Sequence, residues 1–211
     1  MMEVTPRKGS GIVKIWREGN SLFLRQEAGL IRLIPHTDNI MQISFTQEEA
    51  FPHGSFPQGP YKEENIQKAV WDHTADEGEI ILRTGTLQVR VSLSTGSLRF
   101  ERKDGTLLLA EREYESKSVE TFDVYRSVEG QGAVVEEIET ADGVKRRVKD
   151  AARVFDRKLY HTTLSLQFQP EEMLYGLGQA EEGVWNLRNT TQYLHQANLK
   201  IAVPVLVSNM G

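Results

Sequence analysis

The sequence predicts an all-β chain, a large antiparallel β-sandwich with few short helices. Three observations carry this. Leu87, Val89, Val91 and Leu93 alternate with Gln88, Arg90 and Ser92, the period of a half-buried strand. Turn signals built on Gly, Pro, Asn and Asp recur about every 8–12 residues between short apolar runs, the spacing of a sandwich rather than of strand–helix–strand units. Helical periodicity is confined to short stretches, and no internal repeat of fixed period is present.

Taken in order, Ile12–Arg17, Ser21–Gln26, Leu30–Ile34 and Ile40–Phe45 read as four strands parted by Gly, Pro and Asn. Three prolines and two glycines fall within Phe51–Pro60, which makes that stretch a loop. Glu63–Val70 reads as one short helix. A meander of short strands spans 79–109, turning at Thr95-Gly96 and at Asp104-Gly105. Asp-Gly between extended runs signals a hairpin, because a type I′ turn wants positive φ at both central residues. The same logic at Asp142-Gly143 places Glu139 opposite Arg146 and Glu136 opposite Lys149, in a charge-rich and therefore solvated hairpin. Segment 158–168 alternates cleanly, with Tyr160, Thr162, Leu164, Leu166 and Phe168 on one face and His161, Thr163, Ser165 and Gln167 on the other. Pro170–Met173 reads as one helical turn. Ile201–Val207 is a further strand, with Pro204 marking an edge or a bulge.

Composition narrows the function classes. Against 25 Lys and Arg stand 30 Asp and Glu, a formal net charge of −5. That balance, with no basic block, argues against nucleic-acid and anionic-membrane partners. The run Lys145-Arg146-Arg147 is no exception, since Glu136, Glu137 and Glu139 face it across the hairpin. There is no cysteine, hence no disulfide, thiolate metal site or thiol nucleophile. No apolar run approaches the roughly 20 residues of a membrane span. Met1–Pro6 lacks the apolar core of a signal peptide, so the expected location is cytoplasmic. On that ground the sequon Asn189-Thr190-Thr191 is discounted as a glycosylation site.

Little chemistry is visible. The histidines (His36, His53, His73, His161, His195) show no H-x-x-x-H or H-E-x-x-H spacing, so no metal is expected. No nucleophile elbow, Walker loop or dinucleotide fingerprint occurs, and no cofactor is implied. Glycoside hydrolysis needs two carboxyls about 5–9 Å apart, one with a raised pKa, and no pair here is marked out. Glu171-Glu172 and Glu181-Glu182 are neighbours, but adjacent residues on an extended strand point to opposite faces, and both pairs read as solvated surface.

Three segments in order, Met173-Leu174-Tyr175-Gly176-Leu177-Gly178-Gln179, Trp185-Asn186-Leu187-Arg188-Asn189-Thr190-Thr191 and Ile201–Ser208, resemble glycoside hydrolase family 31, the α-glucosidases and α-xylosidases. The ordered match covers roughly 173–211. The resemblance implies an N-terminal β-sandwich of galactose-mutarotase-like topology, a single domain over 1–211. The family's catalytic (β/α)₈ barrel follows that sandwich and carries both aspartates of the reaction. Catalytic residues are accordingly expected beyond Gly211, and the chain alone is expected to be inactive, with its own barrel and an α-linked oligosaccharide or glycoside as partners. The family's loop after the Tyr-Gly-Leu-Gly turn supplies polar groups to the +1 sugar subsite. Mapped here, substrate contacts fall on Asn189 and Thr191, with Arg188 beside them and Trp185 and Tyr193 as an aromatic platform; the bland alternative is an ordinary Asx/Thr-rich turn with two packing aromatics. Gln179 departs from the glutamate the family often has there, which removes a carboxylate contact.

Other readings stay open from sequence: a freestanding carbohydrate-binding module, a mutarotase-like epimerase with His161 as the residue to inspect, and an interaction module that self-associates through an exposed apolar patch into a homo-oligomer.

Overall fold

The computed structural model describes residues 11–51, 69–128, 134–149, 152–179 and 183–210. All but Phe51 of the loop expected at 51–60, and most of the helix expected at 63–70, lie outside them. Ala69 and Val70 are not helical, and the described residues contain no helix. The chain divides into two compact units, 1–116 with 164–211, and 117–163.

Among the described residues the first unit holds three antiparallel sheets, two large ones that enclose the core and a two-stranded ribbon near the end of the chain. Strands β1 (Ile12–Glu18), β2 (Ser21–Gln26), β3 (Gly29–Thr37) and β4 (Ile40–Thr46) form a four-stranded meander. Strands β5 (Asp72–Ala75), β6 (Glu79–Arg83), β7 (Leu87–Ser92), β8 (Leu98–Arg102) and β9 (Leu107–Glu111) pair in sequence. The short β14 (Leu166–Gln167) returns to β9 and completes a six-stranded sheet. The core lies between the two large sheets. Leu22, Leu24, Ile31 and Leu33 of the first sheet cluster with Ile80, Leu82, Val89, Val91 and Leu98 of the second. Each such side chain stabilises by about 1.5–3 kcal/mol when taken from water. Buried Trp71 joins the cluster, and its indole N–H donates to Asn20 Oδ1 at 2.7 Å. The alternation read at 87–93 is this geometry: Val89 and Val91 point inward while Arg90 points out.

The Asp104-Gly105 hairpin forms, but not with a type I′ turn. Gly105 has φ 89° whereas Asp104 has no positive φ. The Gly105 N–H donates to Arg102 O at 2.9 Å, and the ladder is irregular between Phe100 and Glu101. That is the pattern of a tight turn followed by a glycine bulge.

The second unit contains β10 (Lys117–Val128) paired with β13 (Ala152–Leu164), and the hairpin of β11 (Val134–Thr140) with β12 (Gly143–Lys149). The hairpin at Asp142-Gly143 exists, with its expected register corrected. Thr140 pairs Gly143, so the loop is Ala141-Asp142, Glu137 faces Arg146 and Glu136 faces Arg147. Only Gly143 takes a positive φ, at 113°, so Asp142 does not supply the second left-handed residue a type I′ turn needs. The charge-rich strands are solvated as expected, with Arg146 Nε 3.0 Å from Glu137 Oε1.

Segment 158–168 is also corrected. It is not one half-buried strand: β13 ends at Leu164, Ser165 breaks the run by donating its N–H to Ser116 O at 2.7 Å, and β14 begins at Leu166. Tyr160 and Leu164 are exposed, as is His161. Pro170–Met173 is a single turn closed by Glu172 N–H on Gln169 O at 3.1 Å, not a helical one. Strands β5, β10 and β15 (Leu174–Gln179) had no counterpart in the expected order.

Candidate functional site

The three resembling segments converge on a two-stranded ribbon, β15 paired antiparallel with β16 (Ile201–Ser208), and on the loop between them. Tyr-Gly-Leu-Gly is strand rather than turn, and its backbone is unusual. Gly176, Leu177 and Gly178 take φ of 103°, 62° and 99° in succession. A Cβ at Gly176 would enter the Val205 carbonyl oxygen, and one at Gly178 the Ile201 carbonyl oxygen. Glycine is therefore required twice, and Leu177 accepts a conformation that costs an L-residue roughly 1–2 kcal/mol. Opposite Leu177, β16 carries extra residues around Pro204, the bulge its proline foretold.

The base of the ribbon is built on Glu172, which is 3% exposed, contrary to its expected solvated position; Glu171 is exposed, and Glu181 and Glu182 lie outside the described residues. One Glu172 oxygen accepts the Gln169 N–H at 2.7 Å, and the other the Ser208 hydroxyl at 2.6 Å. Asn186 Oδ1 accepts the N–H groups of Leu174 and Arg188, both at 3.1 Å. Asn209 Oδ1 accepts Met173 N–H at 2.8 Å. No short motif marks Glu172 or Asn209, and Asn186 lies in a resembling segment that assigns it no role; their partners on other segments reveal all three.

The expected substrate residues lie on this loop. Arg188 folds back: Nη1 donates to Gln169 O at 2.7 Å and Glu172 O at 3.0 Å, and its guanidinium sits 5.8 Å from the Phe168 ring. Its nearest role is to hold the loop in place. Asn189 is exposed with φ 60°, Thr191 is exposed, and Trp185 is 86% and Tyr193 75% exposed. The Thr190 hydroxyl donates to Leu187 O at 2.8 Å, which closes the turn that presents Asn189. Further along, Gln196 pairs through its amide with both backbone groups of Ala202, tying the loop to β16. The arrangement offers an amide, a hydroxyl and two ring faces to solvent from a fixed frame.

Away from this loop, the carboxyls of Asp76 and Asp104 are held below the usual range by turn hydrogen bonds. Among the described residues no group of three His, Asp or Glu is placed to hold a metal ion.

Two antiparallel sheets around one core, with a strained glycine ribbon after them, define a galactose-mutarotase-like sandwich. The chain belongs to the glycosyl hydrolase 31 N-terminal galactose mutarotase-like domain family, whose model matches residues 30–203. Solved structures similar in fold include the family 31 α-xylosidase of Xanthomonas citri (18% identity, TM-score 0.62), covering 92% of this chain and 18% of the xylosidase. A family 31 α-xylosidase from a soil metagenome, complexed with xylose, aligns at 17% identity and TM-score 0.60, over 94% of this chain and 27% of its own. A family 31 dextranase of Flavobacterium johnsoniae aligns at 13% identity and TM-score 0.61, over 96% and 21%. The chain thus spans under a third of the length of each of these proteins. No curated protein matches it.

Proposed function

We propose that this chain is the non-catalytic N-terminal domain of a family 31 α-glycosidase acting on α-glucosides or α-xylosides, packing on that enzyme's (β/α)₈ barrel and lending the loop at 184–193 to its +1 sugar subsite. One observation carries the reading: the β15–β16 ribbon is apolar yet exposed on both faces. Ile201, Val203, Val205, Leu206 and Val207 all stand in solvent, an arrangement characteristic of a covered interface. The loop beside it presents Trp185, Asn189 and Thr191, groups suited to sugar hydroxyls and ring faces.

The chain alone is expected to give no turnover of nitrophenyl α-glucoside or α-xyloside; turnover above a blank overturns the reading. In the full-length enzyme, Asn189→Ala and Thr191→Ala raise KM for disaccharides, where the +1 subsite is filled by sugar, and leave aryl glycosides nearly unaffected. Equal losses on both substrate types would remove the subsite assignment.

A further inference from the structure

The outer face of the six-stranded sheet carries a second polar feature, distinct from the loop at 184–193. Paired positions Ile81, Arg90, Arg99, Ala110 and Gln167 run across this face. An open cleft of about 760 Å³ lies over it, bordered by Phe168 and Pro170 at one rim and by Gly78 and Glu79. That volume falls within the usual range of ligand sites. Its charges are preorganised. Glu101, 5% exposed, accepts Arg90 Nε at 2.8 Å and lies 3.3 Å from Arg99 Nη2, while Arg90 also pairs with Glu79. Glu111, also buried, accepts the Leu98 N–H at 3.0 Å.

The geometry points to a binding cleft for a neutral polyhydroxylated ligand, a short oligosaccharide. Two arginines and three glutamates line the cleft, with Glu101 behind them. An anion would meet a carboxylate excess against guanidiniums already engaged, and an amine would meet those guanidiniums. Hydroxyl groups satisfy both, since each donates to a carboxylate and accepts from a guanidinium N–H. Half-buried Phe168 and Leu107 provide apolar surface for the C–H face of a sugar ring. Arg188, against the Phe168 ring, places this rim next to the loop at 184–193. The cleft rests on different residues from the proposed subsite, so either assignment stands without the other.

The test is titration of the full chain with maltotriose, xylotriose and inorganic phosphate, followed by calorimetry and by amide chemical shifts. Binding of a trisaccharide at millimolar concentration is expected, with shifts centred on residues 90, 99 and 167–169. Arg99→Ala and Glu113→Gln, both at exposed positions that the fold tolerates, weaken it roughly tenfold each, the loss of one charged hydrogen bond. Glu137→Ala, at an exposed position of the β11–β12 hairpin outside both the cleft lining and the loop, leaves it unchanged. No trisaccharide binding, binding of phosphate instead, or binding lost with Asn189→Ala but kept in Arg99→Ala overturns the proposal.

Discussion

The hydroxyl of Ser208 donates to buried Glu172 at 2.6 Å, joining the last residue of β16 to the turn that precedes β15. A carboxylate that nearest neighbours in sequence leave unexplained thus closes the ribbon at its base.

Glu172→Ala orphans the Gln169 N–H and the Ser208 hydroxyl and is expected to cost about 1–3 kcal/mol. Ser208→Ala removes one partner of Glu172 and the acceptor of the Met210 N–H near the chain end, while the carboxylate keeps the Gln169 N–H, and it costs less. Urea unfolding of both variants checks the order, and equal costs would contradict it.

Gly178→Ala and Gly176→Ala force a side chain into the carbonyls of β16 at positive φ. Each is expected to lose at least about 1–2 kcal/mol. Gly143→Ala, at positive φ but with open space around it, isolates the conformational part of that cost. Thermal midpoints of the three give the comparison.

Stability should fall on acidification below pH ~4. Asp76 accepts the N–H groups of Gly78 and Glu79, and Asp104 bonds the hydroxyl and N–H of Thr106, so both folded carboxyls titrate below their unfolded value near 3.9. Their contribution is complete above that value and is lost as pH falls through the folded one. The double variant Asp76→Asn, Asp104→Asn is expected to flatten this acid limb in urea midpoints taken between pH 2 and 6.

Charge and core substitutions should separate widely. Glu137→Ala removes an exposed partner of Arg146 and costs under about 1 kcal/mol. Leu24→Ala opens a cavity between the two sheets and costs about 2–5 kcal/mol. Chemical denaturation of the two variants measures both.

Much of the sandwich was legible because alternation reports burial directly. Val89 and Val91 face the core while Arg90 faces out, and Ser21–Gln26 has the bounds its pattern indicated. Where no face is buried that signal is missing: β10 and the exposed residues of β13 make a ribbon without a core face, so alternation marks neither β10 nor the end of β13 before Ser165. The hairpins were placed, yet the register at Thr140–Gly143 turned on whether Asp142 would accept a positive φ, which its identity permits but does not require.

By itself the sequence determined an all-β fold, the strands of its core, and a Tyr-Gly-Leu-Gly motif followed by a loop carrying Trp185, Asn189 and Thr191. These follow from local chemistry, since periodicity and glycine act through near neighbours. That the motif is a strand rather than a turn was decided by its pairing with β16. The tertiary structure decided too that Glu172 is buried, that Arg188 turns inward to hold the loop, and that Arg90, Arg99 and Glu101 gather on one face of the six-stranded sheet. Each depends on which distant strand arrives alongside, and burial and pairing are properties of that meeting rather than of any one segment.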